Sequence, residues 1–168
     1  MRLTATVDIN APAEIVWACV EEPDKIVQWV EGAVGHRYIT PVENGVIVGS
    51  QFEQKLQQGK EIVTFIGTVT DCQQPQRFGF HIPSPAYSSD ALFQLTPLSD
   101  ETTQVDYSID VELHTLKAKV AGFVLRLPLT FFVPKQMRRL KQLAESLTAA
   151  PETSQAISPE QTNVGETV

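Results

Sequence analysis

Residues Ile9 to Val30 read INAPAEIVWACVEEPDKIVQWV. An extended segment stops at Asn10-Ala11-Pro12, and two short apolar stretches follow, split by Glu21-Glu22-Pro23. Each stretch carries a tryptophan, Trp17 and Trp29. Asn10 is placed to cap a helix, Pro12 suits a first helical turn, and Glu14 suits the positive helix end. Ile15, Val16, Cys19 and Val20 form an apolar stripe. Glu22 precedes a proline and so avoids the α region, which ends that helix. Pro23-Asp24 opens a second helix, with Ile26, Val27, Trp29 and Val30 on its apolar side.

Strands flank this pair. Before it, Leu3, Ala5, Val7 and Ile9 alternate with Thr4, Thr6 and Asp8, a period of two that marks one covered face. After it, GHRYITPV reads as an edge strand ending near Pro41, and Glu43-Asn44-Gly45 as a turn. Val46, Val48, Ser50, Phe52, Gln54 and Leu56 share one face of the next strand. EIVTFIGTVTDC is long and β-branched, with Gly67 placed for a bend or bulge. RFGFHI and SSDALFQLTPL follow. In the last strand Val105, Tyr107, Ile109, Val111 and Leu113 face inward, against Gln104, Asp106, Ser108, Asp110 and Glu112. Such alternation fits an antiparallel sheet with one wet face. A helical region takes over near Thr115, where Pro128 and Pro134 are expected to break or kink it. Its last part is amphipathic through Val133, Met137, Leu140, Ala144 and Leu147, with Lys135, Arg138, Arg139 and Gln142 opposite. Residues 150–168 are polar, with three acids and no base, and read as a disordered acidic tail. One domain over residues 1–149 accounts for the rest.

The totals agree with a single packed domain. A chain near 150 residues buries roughly 68–70% of its unfolded surface, so neither metal nor disulfide is needed. Cys19 and Cys72 sit among apolar neighbours and belong to no CxxC or Cys/His cluster. They read as two buried thiols of a cytoplasmic protein rather than a bridge or a zinc site. The longest apolar run, Val120 to Val133, is fourteen residues and contains Arg126 and Pro128, short of the roughly twenty a spanning helix needs. A net charge of −7 argues against general nucleic-acid binding. That average hides an asymmetry. Seven of the thirteen bases lie between Lys117 and Lys141, and no acid lies between Glu112 and Glu145.

The order strand, two short helices, about six strands, long helix resembles the START-related helix-grip superfamily, which includes polyketide cyclase/dehydrase-like and lipid-transfer proteins. The resemblance rests on Ile9-Asn10-Ala11-Pro12-Ala13-Glu14-Ile15-Val16-Trp17, on Trp29, and on the late QMRRLKQLAESL. It implies an α+β fold in which a curved antiparallel sheet of about seven strands grips the long C-terminal helix around a cavity. The two short helices would then plug one end of that space. Trp17 and Trp29 are expected as core anchors.

Catalytic signatures are missing from the sequence. HExxH, GxSxG, glycine-rich phosphate loops and nucleotide fingerprints do not occur. His36, His81 and His114 lie on separate elements and read as surface or capping residues. No catalytic residue, metal ligand or cofactor is assigned. The cavity that the resemblance implies would be lined by Phe52, Phe65, Phe80, Phe93, Tyr107 and Ile109 from the sheet, and by Phe123, Leu127 and Phe131 from the helix. Tyr87 and Asp90, in a Ser-rich stretch read as a rim loop, would orient a polar ligand end or act as an acid/base pair. The leading expectation is a carrier or sensor for a hydrophobic small molecule or lipid, more a binder than an enzyme. A polyketide cyclase or dehydrase is the first alternative. The second is an adaptor that touches a membrane surface or a partner through the basic segment Lys117–Lys141.

Overall fold

The structure is a computed structural model. It describes residues 1–40, 45–85, 87–114 and 116–149, with side chains of the last stretch described from Phe131 onward. Glu43 and Asn44 of the turn expected at Glu43-Asn44-Gly45, the tail 150–168 and the side chains of Lys117, Lys119, Phe123, Arg126 and Leu127 lie outside the described residues.

Strand β1 (Arg2–Ile9) is followed by helices α1 (Ala13–Glu21) and α2 (Pro23–Trp29). Six strands come next: β2 (Ala33–Tyr38), β3 (Gln51–Gln58), β4 (Glu61–Gln73), β5 (Arg77–Pro83), β6 (Tyr87–Ser99) and β7 (Thr102–Leu113). Helix α3 (Leu116–Ala149) closes the chain. All seven strands form one antiparallel sheet in the order β1-β7-β6-β5-β4-β3-β2, which is the α+β helix-grip architecture. The chain thus runs from one sheet edge to the other through α1 and α2, then zigzags back. Two short helices are the span that this crossing requires.

The break between the helices has a local cause. Glu22 is extended (φ −78°, ψ 129°) and serves as the last cap of α1 and the first of α2, with Pro23 at the start of α2. Asn10 does not cap α1, where Pro12 takes the cap position without a side-chain bond. Its backbone N–H donates instead to Glu145 Oε1 of α3 at 2.9 Å. The corner is pinned again where the Thr103 hydroxyl donates to Ala11 O (2.8 Å) and Lys141 Nζ donates to Asp8 O (2.6 Å). Thr103 is fully buried, so this bond satisfies a carbonyl that water does not reach.

Val133, Met137, Leu140 and Ala144 are buried on one stripe of α3, while Leu147 is exposed. The helix is continuous across Pro128 and Pro134, so neither proline breaks it. Each proline deletes one bond of the i→i−4 ladder and leaves the turns on either side bonded. Burial of the stripe, about 1.5–3 kcal/mol per large apolar side chain, outweighs that loss in the C-terminal half. No helix among the described residues is long and apolar enough to cross a membrane.

Three further sequence readings need correction. Tyr87-Ser88-Ser89-Asp90 is the start of β6, as the strand reading of SSDALFQLTPL has it and the rim-loop reading does not, paired across to His81–Pro83 and to Asp110–Leu113. Val46 and Val48 precede β3 rather than belonging to it. Gly67 does not carry the bulge of β4, since the register shift falls between Val69 and Asp71. It faces Phe52 across the β3–β4 ladder, and a Cβ there would lie within the Phe52 ring. Phe52 is buried, so the ring cannot move aside into solvent. Gly67→Ala is therefore expected to cost about 1–3 kcal/mol through overpacking, read as a lower urea midpoint. A midpoint equal to that of the wild type would remove the argument.

Candidate functional site

Between the concave face of the sheet and α2 and α3 lies a cavity of about 260 Å³. Its floor is built by cross-strand alternation. Phe52, Gln54 and Leu56 come from β3, Phe78, Phe80 and Ile82 from β5, and Tyr107, Ile109 and Val111 from β7. Ser89 and Phe93 come from β6, and Leu3 from β1. Helix α2 with the turn after it supplies Ile26, Trp29, Val30 and Glu31. Helix α3 supplies Phe132, Val133, Gln136 and Met137, and Val20 of α1 completes that end.

Aromatic rings brace this floor in two series. His36 stacks on Phe52 (5.1 Å, 24°), Phe52 meets Phe80 edge-on (5.6 Å, 88°), and Phe80 leads to Phe78 and then Trp17 (6.3 and 5.8 Å). In the second series Trp29 meets Phe93 edge-on (6.1 Å), and Phe93 meets Tyr107 (4.6 Å). Edge-to-face contacts are worth about 0.5–1.5 kcal/mol beyond area burial, and rigid rings do not collapse into a neighbouring space.

Five of the side chains expected to line a cavity do so: Phe52, Phe80, Phe93, Tyr107 and Ile109. Phe65 is on the same sheet face as Gln54, its cross-strand partner, but is not in the wall. Tyr87 shares a face with Ser89 and Phe93 yet lies beyond the cavity. Asp90 is turned to the outer face, where its carboxylate accepts from His81 Nδ1 at 2.8 Å. The pair expected to act together on a ligand is thus split, because period-two alternation separates residues three apart. Phe131 is 75% exposed and outside the wall, and its neighbour Phe132 takes the lining position. Trp29 is both core anchor and wall, its indole N–H donating to Cys19 O at 2.8 Å. Trp17 stays in the core, away from the cavity.

His36 is the residue that sequence reasoning missed. It is neither a cap nor a surface residue but part of the cavity wall. Its Nδ1 meets Gln54 Oε1 at 2.7 Å, and its Nε2 is buried with no partner. Burial holds its pKa below the ordinary imidazole value, with the Gln54 bond working the other way. The signal was present as parity, since His36 pairs across to Gln54 and so faces where Gln54 faces.

The other polar groups of the wall are also held neutral or already engaged. Tyr38 donates to Glu21 O at 2.9 Å, and burial pushes its pKa up. Burial likewise pushes up the Tyr107 hydroxyl. Glu31, the one carboxylate in the wall, accepts from Lys135 Nζ at 2.7 Å, which lowers its pKa. Gln136 accepts from the Glu31 backbone N–H at 3.2 Å, so α3 is latched to the turn after α2 beside the cavity. Outside this latch a more open hollow of about 580 Å³ is lined by Gln28, Lys135, Arg138, Arg139 and Gln142. Among the described residues no group of His, Cys, Asp and Glu is arranged to hold a metal ion. Cys19 is buried and Cys72 half-buried, both as free thiols, with burial pushing Cys19 up to about 11.

Comparison with known proteins places this geometry. A family model described as polyketide cyclase/dehydrase and lipid transport matches residues 1–145. No curated protein matches the chain. Solved structures do. The Zhui aromatase/cyclase of Streptomyces sp. R1128 superposes with a TM-score of 0.69 at 14% identity, over 88% of this chain and 95% of that one. A START superfamily protein of Mycobacterium smegmatis gives 0.65 at 18% identity, over 87% and 98%. Protein NE0264 of Nitrosomonas europaea gives 0.70 at 14%, over 89% and 97%. These identities carry the fold alone, whereas the sequence match covers most of the chain. The protein belongs to the polyketide cyclase/dehydrase and lipid transport family.

Proposed function

We propose that the protein binds one hydrophobic small molecule or lipid chain in its cavity, as a carrier or sensor. The observation that carries this reading is the cavity itself, about 260 Å³ enclosed by aromatic and aliphatic side chains with a few placed polar groups. Ligand pockets have that composition, and this volume is near their small end. The family's cyclase chemistry is the competing reading. Of the side chains offered for it by the sequence, Tyr107 alone reaches the wall, while Tyr87 and Asp90 do not.

Naphthalene is a suitable first probe. Ten heavy atoms at about 0.7 kcal/mol each give a Kd on the order of 10 μM. Trp29 is in the wall and Trp17 is not, so the titration is expected to change tryptophan emission in the wild type and in Trp17→Phe, but not in Trp29→Phe. Absence of any binding by calorimetry, together with no apolar compound on solvent extraction of the purified protein, would defeat the reading.

A pH effect follows from His36. Its folded pKa lies below the ordinary 6.5, so between the two values the unfolded chain holds a proton that the folded protein refuses. Stability therefore rises with pH across that window and falls as pH drops from 6.5 toward the folded value. Glu21, raised by burial, works in the opposite sense at lower pH, so the His36 contribution is read as a difference. The acid-side loss in Tm is expected to shrink in His36→Gln. Equal slopes in the two proteins would refute this.

A specific observation supports a membrane-surface contact as a second property. Phe131 and Phe132 are 75% and 42% exposed on α3, one turn before Lys135 and about two turns before Arg138 and Arg139. Lys135 and Lys141 are engaged with Glu31 and Glu145, which leaves the two arginines for an anionic lipid surface. A lipid carrier also has to visit membranes. Flotation with phosphatidylserine-containing vesicles should recover the wild type at low salt and several-fold less of Phe131→Ser. Equal flotation of both, or none of either, ends the membrane reading and leaves the cavity reading intact.

A further inference from the structure

The polar end of the cavity has a definite hydrogen-bonding sense. Gln54 fixes it. Its Nε2 donates to two carbonyls, Gly35 O at 3.2 Å and Lys55 O at 3.4 Å. Turning the amide over would set its oxygen against both carbonyls, so Oε1 must be the atom that faces His36. Oε1 only accepts, and therefore His36 Nδ1 carries the proton and donates to it at 2.7 Å. In a neutral imidazole the other nitrogen is then a bare lone pair. That nitrogen, Nε2, is buried and has no partner. Stacking on Phe52 and the edge contact with Tyr38 (5.5 Å, 83°) hold the ring in this orientation.

The rest of the wall limits what can complement it. No lysine or arginine is among the described lining residues, and the one carboxylate among them is tied to Lys135. Tyr38 has already spent its proton on Glu21 O. A carboxylate or phosphate carried into this space would lose its hydration and find no cation among the described lining residues, at a cost of several kcal/mol. A neutral group that only accepts would face the lone pair of Nε2 and repel it.

We propose that the cavity selects an uncharged, ring-sized apolar molecule bearing a hydrogen-bond donor, a phenol or alcohol, which is met by His36 Nε2. This rests on the cavity-binding function proposed above and names its ligand class. Nε2 is buried in the cavity wall, and the ligand's donor reaches it by displacing neighbouring side chains. The hydroxyls of Tyr107 and Ser89, which also line the cavity, accept or donate and so do not set the polarity. A buried acceptor left without a donor costs about 1–3 kcal/mol, and the correct ligand removes that cost.

Four naphthalenes that differ at one position test the idea near neutral pH: 2-naphthol, 2-methoxynaphthalene, unsubstituted naphthalene and 2-naphthoate. Calorimetry is expected to rank 2-naphthol tightest, roughly three- to tenfold over the methyl ether, with the carboxylate weakest. In protein carrying isotope-labelled histidine, the Nε2 resonance of His36 should move upfield with 2-naphthol and stay in place with naphthalene. His36→Phe keeps the stacked ring but removes the acceptor, so naphthalene affinity should hold while the preference for 2-naphthol disappears. The resonance measurement needs no variant and stands even if that protein does not fold. Equal affinity for 2-naphthol and its ether with an unmoved Nε2 resonance would overturn the donor assignment while the cavity function survives. Tightest binding by 2-naphthoate would overturn it too. Binding of none of the four would take the cavity function down with it.

Discussion

The fastening of the C-terminal half of α3 to the β1–α1 corner is the constraint on which the rest depends. Leu140 and Ala144 are fully buried there, and Asn10, Asp8 and Ala11 are bonded to Glu145, Lys141 and Thr103. An alanine at the tightest point lets the helix come close to the sheet at that end. Further back along the helix the facing side chains are Met137, Val133 and Phe132, while the opposite floor is made of rings. A helix fastened to a curved sheet at one end leaves room between them toward the other, which is where the cavity lies. The hollow is what is left when the floor is too stiff to follow.

Stiffness is supplied by sequence-distant partners. Phe52 sits between His36 and Phe80, and Gly67 provides the flat place in the sheet that its ring occupies. Interiors pack to the density of organic crystals, and flexible aliphatic side chains would be expected to relax into such a space. Rings in edge-to-face contact relax less, because moving one breaks its contact with the next. The two short helices then act as the plug: α2 contributes Trp29, and its following turn contributes the Glu31 latch to Lys135 and Gln136. The crossing from one sheet edge to the other and the closure of the cavity are thus done by one segment.

What was legible in the sequence followed periodicity and punctuation. The strands β1 and β7, the break at Glu22-Pro23 and the buried stripe of α3 each show in a single local pattern. The misreadings came where composition and periodicity disagreed. Ser88-Ser89-Asp90 looks like a turn by composition, yet Tyr87, Ser89, Ala91 and Phe93 keep the alternation of a strand. Phe131 was chosen over Phe132 for the cavity, although stepping back four residues from Gln136 lands on Phe132. His36 could not be placed from its own neighbourhood. Its burial comes from Phe52 and Gln54, which are brought beside it by the β2–β3 pairing. Cross-strand neighbours of that kind lie beyond any local window, and they are also what gives the cavity its polarity.

The protonation states of the wall bear on binding against catalysis. Burial shifts Tyr38, Tyr107 and His36 toward their neutral forms, raising the tyrosines and lowering the histidine, while Lys135 holds Glu31 in its charged form. A general acid or base works best when its pKa lies near the operating pH. The two tyrosines are moved away from that range, and His36 is moved to its acid side with one nitrogen already committed to Gln54. A wall of neutral, oriented dipoles can still guide a reactive chain by holding it in one shape, which requires no proton transfer from the protein. Both holding and folding a substrate therefore draw on the same property, a dry aromatic enclosure with one fixed acceptor. On the binding reading the enclosure is sufficient as it stands, whereas a cyclase reading would rest on the shape that the enclosure imposes on its substrate.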